Sequence, residues 1–157
     1  ETRRFQVEEA PNPDHPHLVP LHGSEGIRRL LEESDFLVLA APETPETRGI
    51  LNADALDRMK TTAVLINLSR GSLVVEGDLL EALRTGGLRG AGLHGLAQEP
   101  LPEGHPFWGL DNVILTPHVS GVTRNFWRRQ TDLILENLRR YLGGEPLLNL
   151  VDKEKGY

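Results

Sequence analysis

Arg70, Glu99 and His118 are the residues of this chain whose types and settings suit shared chemistry. Arg70 follows the apolar run AVLINLS and precedes Gly71. That setting places a forked cation just past a buried segment, where it can hold a carboxylate through two parallel hydrogen bonds. An arginine paired with a surface acid fits the same pattern. His118 follows LTP and precedes Val-Ser-Gly, small residues that leave room for a ligand. Glu99 stands before Pro100 in a loop rich in Pro and Gly. A carboxylate beside a histidine orients the imidazole and raises its pKa, giving a proton donor and acceptor near neutral pH. The trio suggests an α-keto or α-hydroxy acid held by its carboxylate while His118 moves a proton.

Two other patterns invite chemistry and are set aside. His15, His17 and His22 cluster among Pro11, Pro13, Pro16 and Pro20, and they read as exposed loop histidines. No carboxylate is placed to complete a rigid metal site there, so no metal is expected. The stretch GAGLHG, Gly90 to Gly95, matches the dinucleotide fingerprint G-x-G-x-x-G. A true fingerprint joins a strand to a helix whose N-terminus faces the pyrophosphate. Here a helical pattern precedes it, and LAQEPLPEGHPF, which cannot open a long helix, follows. The match is spurious, and its small residues instead let a strand pass close to a neighbour or a ligand.

The elements that must position the trio follow from periodicity. A helix capped by Ser24 is expected to run to Glu33, with Ile27, Leu30 and Leu31 as its stripe. DFLVLAAP and TAVLINLS are continuous apolar runs, as in strands covered on both faces. Helices are expected over 53–60 and 76–85, short strands at GAGL and NVILTPH, and a long helix over about 123–142. The long helix sets Trp127, Ile134, Leu138 and Tyr141 on one face. Strands alternating with helices imply an α/β fold with parallel strands and right-handed crossovers. Ligands in such sheets bind beyond the carboxyl ends of the strands, where Ala41-Pro42, Leu68-Ser69-Arg70, His94 and His118 to Gly121 fall.

Composition limits the classes of function. The 157 residues suffice for one core, and a net charge of −6 offers no general footprint for nucleic acid. Arg28-Arg29 and Arg139-Arg140 read as solvated faces. The absence of cysteine excludes disulfides and thiolate metal sites and agrees with a cytoplasmic setting. No apolar run is long enough for a membrane span. The start at ETRRF, without Met, suggests a processed chain or a fragment.

The stretches SDFLVLAAPETPETRGIL, MKTTAVLINLSRGSLVVEGDLLEAL, QEPLPEGHPFWGLDNVILTPHVSG and ENLRRYLGGEPLLNLVDKEKGY resemble the D-2-hydroxyacid dehydrogenase family, continuously from about Glu25 to Tyr157. The resemblance implies a doubly wound, Rossmann-like sheet incomplete at its N-terminal side. Residues 1–122 would form part of a dinucleotide-binding domain, and 123–157 a helix and tail returning toward a substrate domain. It implies Arg70 as substrate anchor, His118 as acid/base and Glu99 as its partner. Ala41, Pro42, Leu68, Ser69, Arg70, His94, His118, Ser120 and Gly121 would lie along the cofactor. Arg3 and Arg4, near the end of the second strand of such a sheet, would suit a 2′-phosphate, which favours NADP over NAD. His94 stands where the family usually has an aspartate. The implied partner is a small 2-keto or 2-hydroxy acid, and the implied assembly is a homodimer. The alternative is a dinucleotide-sensing regulatory protein that keeps the fold and has lost turnover. The chain by itself lacks the glycine-rich turn and is expected to bind cofactor weakly and to be inactive.

Overall fold

Leu37, Leu65, Ala91 and Val113 stand side by side on neighbouring strands, and this row organises the molecule. The computed structural model describes residues 19–154. Its helices are α1 (Gly23–Glu33), α2 (Ala53–Asp57), α3 (Glu76–Thr85) and α4 (Phe126–Leu142). Its strands are β1 (Phe36–Leu39), β2 (Val64–Asn67), β3 (Gly90–Leu93) and β4 (Val113–Leu115). Short 3-10 turns occupy Gly71–Leu73 and Pro106–Gly109. The strands make one parallel sheet in the order β1-β2-β3-β4, the α/β architecture the alternation implies.

The strand order advances in one direction, so this is one wing of a doubly wound sheet. Right-handed crossovers that all advance the same way lay their helices on the same face. Leu37, Leu65, Ala91 and Leu93 accordingly share a core with Leu31 of α1, Leu56 of α2 and Leu79 and Leu83 of α3. The opposite face, which carries Phe36, Val38 and Ile114, is exposed among the described residues. The apolar runs therefore read correctly as strands but are covered on one face only. Periodicity cannot separate the two cases, because a continuous apolar run carries no alternation to mark an open face.

The helix ends differ in detail from the sequence reading. Ser24 lies inside the first turn of α1, and His22 takes the N-cap position without a side-chain hydrogen bond. Of the expected stripe only Leu31 is buried, while Ile27 and Leu30 face outward. α2 stops at Asp57, short of Lys60, and is capped by Asn52, whose Oδ1 accepts from the Ala55 amide at 3.0 Å. The bounds of α3 and β3 match the expectation. α4 begins at Phe126, and none of its residues is buried among those described. The stripe Trp127, Ile134, Leu138 and Tyr141 exists but is exposed. His15, His17, Arg3 and Arg4 lie outside the described residues.

Candidate active site

The carboxyl ends of all the strands are drawn level by register: Leu39 pairs with Asn67, Asn67 with Leu93, and Leu93 with Leu115. The ladder then continues one residue further. The amides of Leu68, His94 and Thr116 donate to the carbonyls of Leu39, Asn67 and Leu93, each at 3.0 Å. Residues far apart in sequence thus emerge from one edge of the sheet.

Asn67 shapes the turn that presents Arg70. It is buried, its Oδ1 accepts from the Ser69 amide at 3.0 Å, and its Nδ2 donates to the Arg70 carbonyl at 2.9 Å. A buried amide satisfied on both sides fixes the backbone that carries the guanidinium. The Ser69 hydroxyl donates to the Ala41 carbonyl, tying the ends of β1 and β2 together. Gly95 is needed here: a Cβ at this position would stand 2.7 Å from the Ser69 carbonyl oxygen. Gly90 is similarly crowded, its Cβ position lying 2.7 Å from the Asn112 carbonyl oxygen. Gly90 and Gly95 of GAGLHG therefore serve close backbone approach. α3 precedes the stretch and no α-helix follows before α4, so it is not a phosphate cradle.

His118 sits at φ 54°, in the left-handed region that non-glycine residues seldom occupy. Its amide donates to the Thr116 carbonyl at 2.9 Å. Its Nδ1 lies 3.0 Å from Glu99 Oε2 and 3.1 Å from Oε1. Glu99 Oε1 also accepts from the Leu96 amide at 2.9 Å. That amide first, and His118 after it, hold the Glu99 carboxyl below its usual range against a smaller opposing effect of burial. Arg70 Nη1 approaches His118 Nε2 at 3.4 Å. With Nδ1–H donating to the carboxylate, Nε2 offers a lone pair to the guanidinium. The geometry joins Arg70, His118 and Glu99 in one line, with Arg70 and Nε2 facing the same space.

His94 is the buried member of the group. Its Nδ1 is 3.1 Å from Thr116 Oγ1 and its Nε2 is 2.9 Å from Ser120 Oγ. Its ring meets that of His118 edge to face, with centroids 4.7 Å apart. Ala41, Pro42, Leu68 and Gly121 lie exposed at the same edge, while Ser69 is buried beneath it. Four contributors escaped the sequence reading. Thr116 anchors His94, Asn67 builds the arginine turn, and Trp108 with Leu101 walls a cleft. The cleft measures about 580 Å³ and adjoins Glu99 and His118. Only Asn67 left a signal, as a polar residue ending an apolar run.

The donor set here can be compared with the needs of a nicotinamide dinucleotide. Hydroxyls, a guanidinium and an imidazole at level strand ends suit a carboxamide and a substrate carboxylate. The pyrophosphate end is not provided for, because no glycine-rich turn joins a strand to a helix N-terminus among the described residues. Among the described residues no cluster of His, Asp or Glu is arranged to hold a metal ion. No described helix is long and apolar enough to cross a membrane.

Residues 9–120 match the family model for the D-isomer specific 2-hydroxyacid dehydrogenase, NAD binding domain. The chain is 40% identical over 141 residues to glyoxylate/hydroxypyruvate reductase A of Photorhabdus laumondii, covering 90% of this chain and 44% of that protein. A glyoxylate reductase of Korarchaeum cryptofilum is 41% identical over 128 residues, 82% of this chain and 39% of its own length. The chain thus spans less than half the length of these curated relatives. Among solved structures, a D-isomer specific 2-hydroxyacid dehydrogenase from Xanthobacter autotrophicus, in complex with NADPH and MES, superposes with a TM-score of 0.79 at 42% identity. That match covers 87% of this chain and 56% of the other. An NADPH-dependent glyoxylate/hydroxypyruvate reductase from Sinorhizobium meliloti, in complex with NADP and sulfate, gives 0.78 at 37% identity, covering 88% and 45%.

Proposed function

The chain belongs to the D-isomer specific 2-hydroxyacid dehydrogenase family, as part of its NAD-binding domain, and on that premise we propose that it carries the acid/base and carboxylate-binding groups of a 2-ketoacid reductase. The observation that carries the reading is the line Arg70–His118–Glu99, with 3.4 Å between Arg70 Nη1 and His118 Nε2 and 3.0 Å between His118 Nδ1 and Glu99.

When bound, the nicotinamide supplies or accepts the hydride at the substrate carbon. Arg70 takes the substrate carboxylate in its fork. Protonated His118 gives the Nε2 proton to the carbonyl oxygen during reduction and recovers it during oxidation. Glu99 orients the ring through Nδ1 and stabilises the imidazolium, and its lowered pKa keeps it anionic for that task. Ser69, Leu68, Ala41 and Pro42 would flank the cofactor from the ends of β1 and β2. Ser120, Gly121 and His94 would border its nicotinamide end, and Arg3 and Arg4 would meet the 2′-phosphate. The NADPH and NADP complexes of the structural relatives support NADP as the preferred cofactor. The named relatives support glyoxylate or hydroxypyruvate as substrate. A homodimer, a cytoplasmic location and the return of 123–157 toward a substrate domain belong to the same proposal.

The test is NADPH oxidation with glyoxylate and hydroxypyruvate, using the longest form of the protein its gene encodes. Turnover is expected, and His118→Gln should lower kcat by roughly 10²–10⁴-fold. Cofactor binding without turnover on any 2-ketoacid would overturn the enzyme in favour of a dinucleotide sensor.

A further inference from the structure

We propose that His94 is a positioning residue for His118: buried between the ends of β3 and β4, it clamps Thr116 and Ser120 and braces the His118 ring between Glu99 and Arg70. The inference builds on the reading of Glu99–His118 as an acid/base pair.

Several observations converge. His94 is 5% exposed, so its polar atoms must be satisfied inside the protein. They are: Nδ1 meets Thr116 Oγ1 at 3.1 Å and Nε2 meets Ser120 Oγ at 2.9 Å. Thr116 and Ser120 lie on either side of His118, so the one imidazole closes a bracket around it. His118 holds a left-handed backbone, φ 54°, that non-glycine residues seldom adopt. A conformation of that kind persists only where its surroundings over-determine it. The amide of His94 is itself fixed to the Asn67 carbonyl at 3.0 Å, which anchors the bracket to the sheet.

The ring contact completes the bracing. Glu99 meets His118 at Nδ1, Arg70 approaches Nε2, and the His94 ring lies against it edge to face with centroids 4.7 Å apart. The hydroxyl partners of His94 can serve either tautomer, since each both donates and accepts. A residue that filled the space without hydrogen-bonding would preserve the packing and lose the clamp.

That substitution is the experiment. NMR relaxation of the His118 ring, assigned through its absence in His118→Gln, is recorded for the unaltered protein, His94→Phe and His94→Asn. In the unaltered protein the ring should relax as a rigid side chain. In His94→Phe it should gain motion, because the hydrogen-bonded bracket through Thr116 and Ser120 is lost. His94→Asn keeps an amide within reach of Thr116 and should restore the ring's order in part. In the turnover assay, kcat should fall roughly tenfold or more in His94→Phe, within the hundredfold that a 1 Å misplacement can cost. KM for the ketoacid should change little. Identical His118 ring relaxation in all forms, or an unchanged kcat in His94→Phe, would overturn the proposal. If His94→Phe does not fold, Ser120→Ala removes one arm of the clamp while keeping the ring. It should alter the His94 resonances and lower kcat, and no change in either would count against the idea. The NMR readings stand without turnover, so a failure here is distinguishable from a failure of the reductase reading.

Discussion

α3 and α4 each carry an apolar stripe at helical spacing, and they meet different surroundings. α3 lies on the sheet, with Leu79 and Leu83 buried against Leu65 and its neighbours. α4 is longer, at 17 residues, yet Leu138 and Tyr141 stay 52% and 72% exposed. Its last turns carry surface ion pairs. Arg139 bridges Glu136 and Glu145 at 3.0 and 2.8 Å, and Arg140 reaches Glu136 at 2.7 Å. A stripe shows that a helix has a face to bury; it does not show which element will cover it. α3 finds its cover within the chain because a right-handed crossover returns it to the sheet, whereas α4 follows β4 and meets no cover among the described residues.

Truncation tests this contrast most strongly. Leu79→Ala should cost about 2–5 kcal/mol of stability, measured by urea unfolding, because it opens a cavity in the shared core. Asn67→Ala should cost about 1–3 kcal/mol, by leaving the Ser69 amide and the Arg70 carbonyl without their partner. It should also weaken ketoacid binding, since it frees the turn that aims Arg70. Leu138→Ala should fall within about 0.5 kcal/mol, as expected of an exposed site. A loss as large as that of Leu79→Ala would break the contrast, for it would mean α4 is covered in solution.

The smallest effect is set by pH. Hydrogen bonds from Arg139 and then Arg140 hold the Glu136 carboxyl down at about 2, against an ordinary 4.5. A carboxylate depressed on folding stabilises the folded form above its ordinary value. That contribution is lost as pH falls from about 4.5 through about 2. α4 should therefore fray on acidification over that window, visible as faster amide exchange in its last turns, and Glu136→Gln should abolish the dependence. These side chains lie at the surface, so the effect on global stability should be slight.

The candidate line Arg70–His118–Glu99 was legible in the sequence because each member sits at the end of, or just beyond, a recognisable element. Arg70 follows an apolar run, His118 follows a strand and a proline, and Glu99 precedes a proline in the loop between. The helix over 76–85 and the strand GAGL were equally plain, since Gly86-Gly87 ends one and begins the approach to the other. Thr116 and Asn67 were not legible in their roles. A threonine near a strand end and an asparagine in a turn serve many purposes, and only hydrogen-bond partners distant in sequence separate them. His94 could be noticed by position, but its engagement of Thr116 and Ser120 depends on residues 22 and 26 positions away.

By itself the sequence determined that this is an α/β chain with its candidate site residues at the strand ends. Periodicity, glycine and proline placement and residue type are local properties, and they suffice for that much. Only the tertiary structure decided that Arg70, His118 and Glu99 fall in one line, that one sheet face is open among the described residues, and that His94 is enclosed. Those facts depend on register and crossover direction, which are set by contacts between segments and leave no mark within any one of them.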